Sequence, residues 1–474
     1  MKKLALLVLC IVIFSLSRQL SAQDYRLRRF GPDNGKTSNA NALNSSGAVA
    51  GTYPVIAPQV FHAFIWTRAS GLQDLGTLGG TSSGAYALND AGQVAGNSNL
   101  AGDAVGHAFR WTPDEGMVDL GTLSGDSSTS SAAFAINAVG QVIGISQLVR
   151  NGANHPFLWT PGKSMQDLGT LGGDFIPPSG PSPLGFAIND RGQVIGNSFL
   201  GDKVTQHAFL WDPQHGLKDL GTLPGGTGSH AFGINNEGEV IGESFTNSSG
   251  TLAHAFLWTR KAGMQDLGTL GGDSSEALFI NSSGMIAGIS TLSGQSSFSH
   301  AFVWTAAFGL QDVALPGNQA CQALGLNNRG QMVGTCRAFF EWSNPTGIRS
   351  LHIAFFPYLS GLNDAGQLLS RVPAMLATPV MHVALASSQN PSNAGQPLTL
   401  SATISSVQGP PPDGELVQFK DSGKLLGTVP LVQGAASFTT STLKTGTHRI
   451  RIFYPGDLNY DSAMSPILTQ TIVP

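Results

Sequence analysis

The chain has 474 residues, of which only 11% are charged, less than half of the roughly one quarter that is usual in soluble proteins. With 41% hydrophobic residues, 25 Phe and 7 Trp it can bury large cores, which excludes a wholly disordered chain. The net charge of −4 excludes the basic surface that binding to nucleic acid or to an anionic membrane would need.

The N-terminus has the composition of a secretory signal peptide over residues 1–22. Met1-Lys2-Lys3 is basic, residues 4–16 are almost continuously apolar, and Leu20-Ser21-Ala22 provides small residues for cleavage before Gln23. No later stretch approaches the ~18 apolar residues of a membrane-spanning helix. The sequence therefore predicts a mature chain without a membrane span, located outside the cell, in the periplasm or at the cell surface.

From about residue 40 the chain repeats itself with a step of about 46 residues, a length typical of one propeller blade. One phrase is Asn-x-x-Gly after an apolar residue, and it begins at Asn44, Asn89, Asn137, Asn189, Asn235, Asn281, Asn327 and Asn363. Asn at the first position and Gly at the fourth favour a tight turn between two short strands.

Two further phrases complete the repeat. The box His-Ala-Phe-x-Trp begins at His62, His107, His207, His254 and His300, has a near copy at His155, and ends at Trp66, Trp111, Trp159, Trp211, Trp258 and Trp304. A degraded copy ends at Trp342, so all 7 Trp belong to this box. The phrase Asp-Leu-Gly-Thr-Leu begins at Asp74, Asp119, Asp167, Asp219 and Asp266, with a decayed copy at Asp312.

Each step reads as four short strands, since Gly and Ser recur too densely for helices. Gln23-Asp24-Tyr25-Arg26-Leu27 resembles Gln73-Asp74-Leu75-Gly76-Thr77, a fourth strand, whereas the last repeat, around Asn363, provides only strands one to three. The N-terminal strand can then complete the last blade and leave no exposed edge. We therefore predict an all-β protein with an eight-bladed β-propeller over residues 23–379; seven blades is the alternative.

The six boxes resemble those of the HAF-repeat family of bacterial extracellular proteins, named for this tripeptide. The resemblance covers residues 40–345 and departs from the family pattern in the last two repeats, where Ala338 and Pro373 stand at the His position. It implies secretion and a repeat fold, and it brings no activity with it.

Residues 380–474 show a different pattern, with long alternating strands such as Leu398-Thr399-Leu400-Ser401-Ala402-Thr403-Ile404. This alternation predicts a β-sandwich. The segments around Asn390-Pro391 and Tyr454-Pro455-Gly456-Asp457 resemble the bacterial Ig-like repeat domains of secreted proteins. In that family the module is usually a spacer or an adhesive unit and has no catalytic residues.

Cys321 and Cys336 are the cysteines that remain after signal cleavage, and they flank the turn at residues 326–330 almost symmetrically. Cross-strand neighbours have Cα atoms about 4.5 to 5.5 Å apart, which a disulfide accepts. We therefore predict a possible disulfide, although a bulge at the turn would shift the register. The alternative is two small buried hydrophobic residues.

The repeated residues are best interpreted as structural, because every blade needs them. The box His would lie on the third strand, at least ~10 Å from the axis, so neighbouring imidazoles are too far apart to share a metal ion. We expect this His to anchor a backbone group, Phe and Trp to pack between blades, and the Asp of Asp-Leu-Gly to accept hydrogen bonds at a strand end. No nucleophile elbow and no phosphate-binding loop is present, so the sequence predicts no catalytic residue, metal or cofactor.

The variable segments are the better functional candidates, because rigid scaffolds usually bind through variable loops on one face. They are the loops between the second and third strands, at 98–106, 146–154, 198–206, 244–253 and 290–299, and the connections between blades. In those connections Asp126, Asp174 and Asp273 share one position, and Phe175 follows Asp174. We predict these four as ligand-binding residues, with solvated turn residues as the alternative reading of the three Asp.

Three functions follow from this reading. The first is a secreted, non-enzymatic scaffold that binds a glycan or a protein partner through its variable-loop face. The second is a polysaccharide-active hydrolase or lyase that uses carboxylates near the channel mouth. The third is a purely structural envelope protein. The sequence favours the first and leaves the ligand and the oligomeric state open.

Overall fold

The structure is a computed structural model that describes residues 24–30, 38–56, 60–148, 152–177, 185–315, 320–344, 346–351, 353 and 359–474. The predicted all-β class is confirmed, because the described residues form strands, turns and connections and contain no helix. None of them belongs to a helix with the length and hydropathy that crossing a bilayer requires. The predicted signal peptide, residues 1–22, lies outside the described residues.

Contacts divide the chain into two compact units. One contains the described residues of 28–351 and 356–376, and the other contains those of 1–27, 352–355 and 377–474. The first unit is built from the repeats, and the second contains the C-terminal sandwich. The expected boundary at residues 379 and 380 stays a prediction.

The repeats form a propeller-like series of small antiparallel sheets, in which consecutive strands pair as a meander. We number these sheets 1 to 8. Sheet 1 consists of Asn39–Leu43, Val49–Ile56, Val60–Thr67 and Gly71–Asp74. Sheet 2 consists of Gly79–Leu88, Val94–Leu100, Gly106–Thr112 and Gly116–Asp119. Sheet 3 consists of Ser131–Ile136, Val142–Gln147, Asn154–Trp159 and Gln166–Asp167. In sheet 4 two short strands, Gly172–Phe175 and Ala187–Ile188, both pair with Val194–Leu200. The strands Gln206–Asp212 and Gly216–Asp219 complete this sheet.

Sheet 5 has the four strands Ser229–Ile234, Val240–Phe245, Ala253–Thr259 and Gly263–Asp266. Sheet 6 has Gly271–Ile280, Ile286–Leu292, Gln295–Thr305 and Gly309–Val313. Sheet 7 has Gln322–Leu326, Gln331–Thr335, Phe339–Ser343 and Gly347–Ser350. Sheet 8 differs, because it joins the two ends of the repeat region. Its strands Leu359–Leu362, Leu368–Ser370 and Met375–Pro379 are completed by the N-terminal strand Tyr25–Arg29.

The Asn-x-x-Gly turns join the eight sheets into a closed ring. In each turn the Asn Nδ2 donates to the backbone carbonyl oxygen of the equivalent Asn in the next sheet, at 2.9 to 3.3 Å. The last of these bonds runs from Asn363 to the carbonyl of Asn44, at 3.0 Å, and closes the ring. A residue that is polar, buried and repeated is therefore used to link neighbouring sheets.

The first strand of a sheet carries a β-bulge. In seven of the sheets the pairing between the first and second strands slips by one residue, as between Ala85 and Ala87 or between Ala133 and Ala135. The extra residue, Tyr86 or Phe134 in these two cases, bends the strand and turns its own side chain away from the regular alternation.

The core of the repeat region lies between neighbouring sheets. The box Phe is fully buried, as Phe64 and Phe109 are at 0% exposure. Phe109 and Trp111 of sheet 2 pack in one cluster with Ile65 of sheet 1. Because the box side chains fill the gap to the preceding sheet, one sheet cannot bury its own core without its neighbour.

The C-terminal unit contains two sheets whose inner faces are apolar. One consists of His382–Ser387, Leu398–Ser405 and Ala435–Thr440, and the other of Ser392–Asn393, Leu416–Asp421, Lys424–Pro430, Gly446–Tyr454, Ala463–Met464 and Leu468–Val473. Strand Leu398–Ser405 alternates between buried and more exposed residues, as the sequence pattern predicts for a sandwich. Phe419 and Tyr454 are fully buried in its core.

Cys321 and Cys336 form a disulfide across the first two strands of sheet 7. From the sequence we expect a bulge at the turn to shift the two cysteines out of alignment. In the structure the strand register contains a bulge, and this bulge aligns them. Leu326 faces Met332, whereas beyond the bulge Gln322 faces Thr335. Without the extra residue Leu324, regular pairing would place Cys321 opposite Arg337, so the bulge brings the two cysteines together.

Candidate functional site

The His of each box pairs with the Asp of the following Asp-Leu-Gly phrase in the same sheet. The imidazole Nδ1 lies 2.9 to 3.1 Å from the carboxylate in six pairs, which are His62–Asp74, His107–Asp119, His155–Asp167, His207–Asp219, His254–Asp266 and His300–Asp312. The expectation that this His anchors a backbone group is therefore wrong for its main contact. Only as an additional contact does His107 place Nε2 3.2 Å from the carbonyl of Thr129.

The Asp of these pairs also receives a backbone N–H. Asp74 Oδ1 accepts from Gly76 at 2.8 Å, and four other sheets repeat the bond. Burial opposes ionisation of Asp74, but the N–H of Gly76 and the His62 imidazole together hold its pKa below the usual value. His and Asp thus fasten the third strand to the fourth, and each pair stays within its own sheet.

Sequence reasoning missed a set of paired serines. Across the first two strands of four sheets a serine directly faces a serine, in the pairs Ser83–Ser98, Ser131–Ser146, Ser229–Ser244 and Ser275–Ser290. Ser83 Oγ accepts from Ala63 N at 2.8 Å and donates to Gly76 O at 2.6 Å, which joins sheet 2 to sheet 1. The signal was the recurring Ser in Val-x-Gly-x-Ser.

The predicted loop residues do not converge. Asp126 accepts the N–H of Ser128 at 2.8 Å within its own turn, and Asp174 and Asp273 are exposed on separate sheets. Phe175 needs a correction, because its ring is only 4% exposed and packs against Phe186 with ring centroids 5.1 Å apart. Phe175 is a core residue of sheet 4, and its side chain is not on the loop face.

A cavity of about 380 Å³ lined by several polar side chains lies in the first unit, at the end of sheets 1 and 2 where the variable loops begin. We call it the Asn-rich pocket; its lining residues are Asn39, Asn41, Thr52, Phe61, Ser82, Ser83, Gly84, Tyr86, Asn97, Asn99 and Arg371. Its volume falls in the range of about 300 to 1,000 Å³ that is typical of ligand pockets. Four amides, hydroxyl groups, two aromatic rings and one cation line it, and no lining residue is a carboxylate.

The pocket exists because sheet 2 departs from its repeat. Gly84 stands directly before the Ala85 of the bulged strand, at the position that His230 occupies in sheet 5 and Glu276 in sheet 6. A Cβ on Gly84 would lie 3.1 Å from Thr52 Cγ2 and 3.3 Å from Tyr86 Oη. A larger residue here would therefore fill the cavity that Gly84 leaves open.

Three pocket residues come from one position of the repeat, the residue after Gly or Ser in the second strand. They are Thr52 in sheet 1, Asn97 in sheet 2 and Arg371, which directly follows the second strand of sheet 8. The flanking residues recur in nearly every sheet, but this one varies freely. Variation at a single position inside a regular strand was the sequence signal that could have located the pocket.

Several polar groups of the pocket are free to bind. Within the described part of the chain, the side chains of Asn39, Asn97, Tyr86 and Arg371 make no hydrogen bond. Asn41 Nδ2 donates to the carbonyl of Ala85 at 2.8 Å, while its buried Oδ1 has no partner there. Burial raises the pKa of the Tyr86 phenol, and the nearby charge of Arg371 opposes this in part.

A second polar cluster lies between sheets 4, 5 and 6. His230 Nδ1 is 3.0 Å from Glu243 Oε1, and its Nε2 is 2.7 Å from Gln206 Oε1. Burial and the charge of Glu243 raise the pKa of Glu276, and His230 opposes this rise. Two carboxylates in unlike environments could act as acid and base.

The axis of the ring holds an open cavity of about 450 Å³ lined by three residues from each of the eight sheets. The asparagine side chains that repeat around it are hydrogen-bonded within the ring. Asn363, for example, donates to Asn44 O and to Gln367 Oε1 and accepts from the N–H of Ala365 and of Gln367. This axial cavity is therefore accounted for by the turns that close the ring. Among the described residues, no cluster of His, Cys, Asp or Glu is suited to a metal ion.

Residues 385–473 match the family model of the bacterial Ig-like domain, group 3. No curated protein matches the chain. The β-propeller domain of the Trilobed protease from Pyrococcus furiosus is similar with 8% identity and a TM-score of 0.42, over 67% of this chain and 99% of that chain.

The extracellular domain of a putative one-component system from B. thetaiotaomicron is similar with 9% identity and a TM-score of 0.28, over 94% of this chain and 76% of that chain. A polysaccharide lyase is similar with 8% identity and a TM-score of 0.15, over 96% of this chain and 47% of that chain. These TM-scores are all below 0.5, and we infer function from this chain's own residues.

Proposed function

We propose that the chain is a secreted, non-enzymatic protein that binds a glycan in the Asn-rich pocket, outside the cell or at its surface. Cleavage near Ala22, an eight-bladed propeller over residues 23–379 and an Ig-like sandwich over residues 380–474 are parts of this proposal. The closed ring of eight Asn turns supports eight blades rather than seven. The match to a bacterial Ig-like domain supports a location outside the cytoplasm and a spacer role for the sandwich.

The observation that carries the proposal is the composition of the pocket. Amides and hydroxyl groups can donate to and accept from sugar hydroxyls, and the rings of Tyr86 and Phe61 offer apolar surface to a sugar face. Glycosidic cleavage usually needs two carboxylates beside the bond, and the lining has none. The pocket therefore lacks the paired carboxylates that hydrolysis uses, and its composition is suited to holding a glycan.

A hydrolase or lyase is the second candidate, and the cluster of His230, Glu243 and Glu276 favours it. Glu276, with its raised pKa, would be the proton donor, and Glu243, which pairs with His230, would be the second carboxylate. A purely structural envelope protein is the third candidate. It would be favoured if the chain neither bound nor cleaved any glycan.

The test is to incubate residues 23–474 with a panel of glycans and to measure retention and new chain ends separately. We expect retention without new ends. Asn97→Ala should weaken binding about tenfold by removing an amide that contacts the ligand. Asn236→Ala, on a turn outside the pocket, should leave binding unchanged. New chain ends that disappear in Glu243→Gln or Glu276→Gln would replace our proposal with the enzyme.

A further inference from the structure

We propose that the Asn-rich pocket selects an acidic sugar, with the Arg371 guanidinium receiving the carboxylate of a uronate residue. This inference rests on the proposed function and names the class of glycan. Arg371 is a cation for which the described residues provide no ion pair.

Arg371 is half-buried and lacks the carboxylate partner that several other arginines have. Arg191 pairs with Glu237 at 3.1 Å, Arg260 pairs with Asp212 at 2.7 Å, and Arg349 pairs with Glu341. Arg371 is half-buried, and no carboxylate of the described chain lies within ion-pair distance of it. A partly buried guanidinium without an anion is unfavourable, and an anionic ligand would compensate for it.

The position of Arg371 in the repeat indicates that its charge is particular to this site. At the same place in the second strand the other sheets carry Thr, Asn, Ile or, in sheet 5, Glu243. Arg371 is the one cation at this position, and it lines the same cavity as Gly84, the residue whose missing side chain opens that cavity. The Arg371 cation therefore lies beside the cavity that Gly84 leaves open for a ligand.

The neighbouring groups match the rest of a uronate. The buried Oδ1 of Asn41 needs a donor, which a sugar hydroxyl supplies. The amides of Asn39 and Asn97 can bind further hydroxyls, and the neutral Tyr86 phenol can donate to the carboxylate beside Arg371. A planar carboxylate also suits the two-pronged hydrogen bonding of a guanidinium better than a tetrahedral sulfate ester does.

The experiment compares trigalacturonate, its fully methyl-esterified form, galactotriose and a sulfated galactotriose as ligands of residues 23–474, by calorimetry at two salt concentrations. We expect trigalacturonate to bind at least tenfold more tightly than the methyl ester, with affinity that falls as salt rises. Arg371→Gln should lower trigalacturonate affinity about 10- to 100-fold and leave galactotriose binding unchanged. Arg371→Lys should recover only part of it.

Arg191→Gln, which removes an exposed arginine from a turn of the Asn ring, is the matched control and should bind as the original protein does. Equal affinity for acid and ester, or an Arg371→Gln variant that retains full affinity for the acid, would overturn the acidic-sugar inference while the glycan-binding function stands. Preference for the sulfated ligand would overturn the assignment to a carboxylate. Binding of none of the four ligands would overturn the inference, whereas the glycan panel decides the proposed function.

Discussion

Cys321 and Cys336 occupy positions that two serines hold in other sheets. In sheet 2 the facing residues are Ser83 and Ser98, whose hydroxyls accept the backbone N–H of Ala63 and of Leu78. In sheet 7 both serines are replaced, and a covalent bond between the same two strands takes the place of these hydrogen bonds. Sheet 7 is therefore held by a bond whose stability depends on the redox environment.

Replacing both cysteines by serine restores the residues that the other sheets use. We expect Cys321→Ser with Cys336→Ser to lower the free energy of unfolding by about 3 kcal/mol, because opening a loop of this length returns conformational entropy to the unfolded chain. New hydroxyl hydrogen bonds would offset roughly 1 kcal/mol of this. Urea unfolding of residues 23–474, with and without a thiol reductant, measures the difference.

Reductant should destabilise the original chain and have no effect on the double-serine variant. Equal stability of the two chains under oxidising conditions would mean that the disulfide does not stabilise sheet 7.

At the scale of elements, the third strand of a sheet packs large side chains against the preceding sheet. In strand Gln206–Asp212 the ring of Trp211 is 7% exposed, and it shares a cluster with Phe209 of its own sheet and Ile143 and Leu158 of sheet 3. At the start of the same strand, His207 is tied to Asp219 on the fourth strand. One strand thus carries both the packing between sheets and the fastening within its sheet.

Trp211→Ala should therefore destabilise the repeat region by about 3 to 5 kcal/mol, as large-to-small changes in a core do. Chemical denaturation followed by circular dichroism measures the loss. Val204→Ala, in an exposed loop before the same strand, is the control and should change stability by less than roughly 0.5 kcal/mol. A Trp211→Ala variant of normal stability that no longer binds glycan would show that the box has a binding role.

At the scale of the whole molecule, the two ends of the repeat region complete one sheet. The N-terminal strand Tyr25–Arg29 lies beside Met375–Pro379, and the next residue, Phe30, donates its N–H to Ala374 O at 2.9 Å. The Phe30 ring lies 4.8 Å from the ring of Trp66 in sheet 1, measured between centroids. Closure thus depends on residues more than 300 positions apart in the sequence.

Deleting residues 23–30 should leave the edge of Met375–Pro379 unpaired, and exposed strand edges promote association. We expect the shortened chain to unfold at lower denaturant concentration and to form dimers or larger species on size-exclusion chromatography. Phe30→Ala, which keeps the strand and removes the ring, should lower stability without association. A monomeric deletion variant with an unchanged midpoint would mean that the ring closes without this strand.

The sequence determined the repeat unit, because the residues that build it act over short distances. Asn and Gly specify the turn at residues 189–192, and alternating apolar residues specify the strands beside it. Repetition alone also indicated an all-β fold. The Ig-like character of the C-terminal segment followed from its own strand pattern, and residues 385–473 match that family. These features depend on local geometry and on contacts between strands close in the chain.

Only the tertiary structure decided what lies between the sheets. It placed Phe175 in a core, aligned Cys321 with Cys336 through a bulge, and paired His62 with a carboxylate that the sequence assigned to a separate role. It also brought Arg371 to the cavity beside Gly84, far away in the chain. A repeat sequence specifies what each sheet shares, whereas a binding site is made where sheets differ and meet, and that depends on packing across the whole ring.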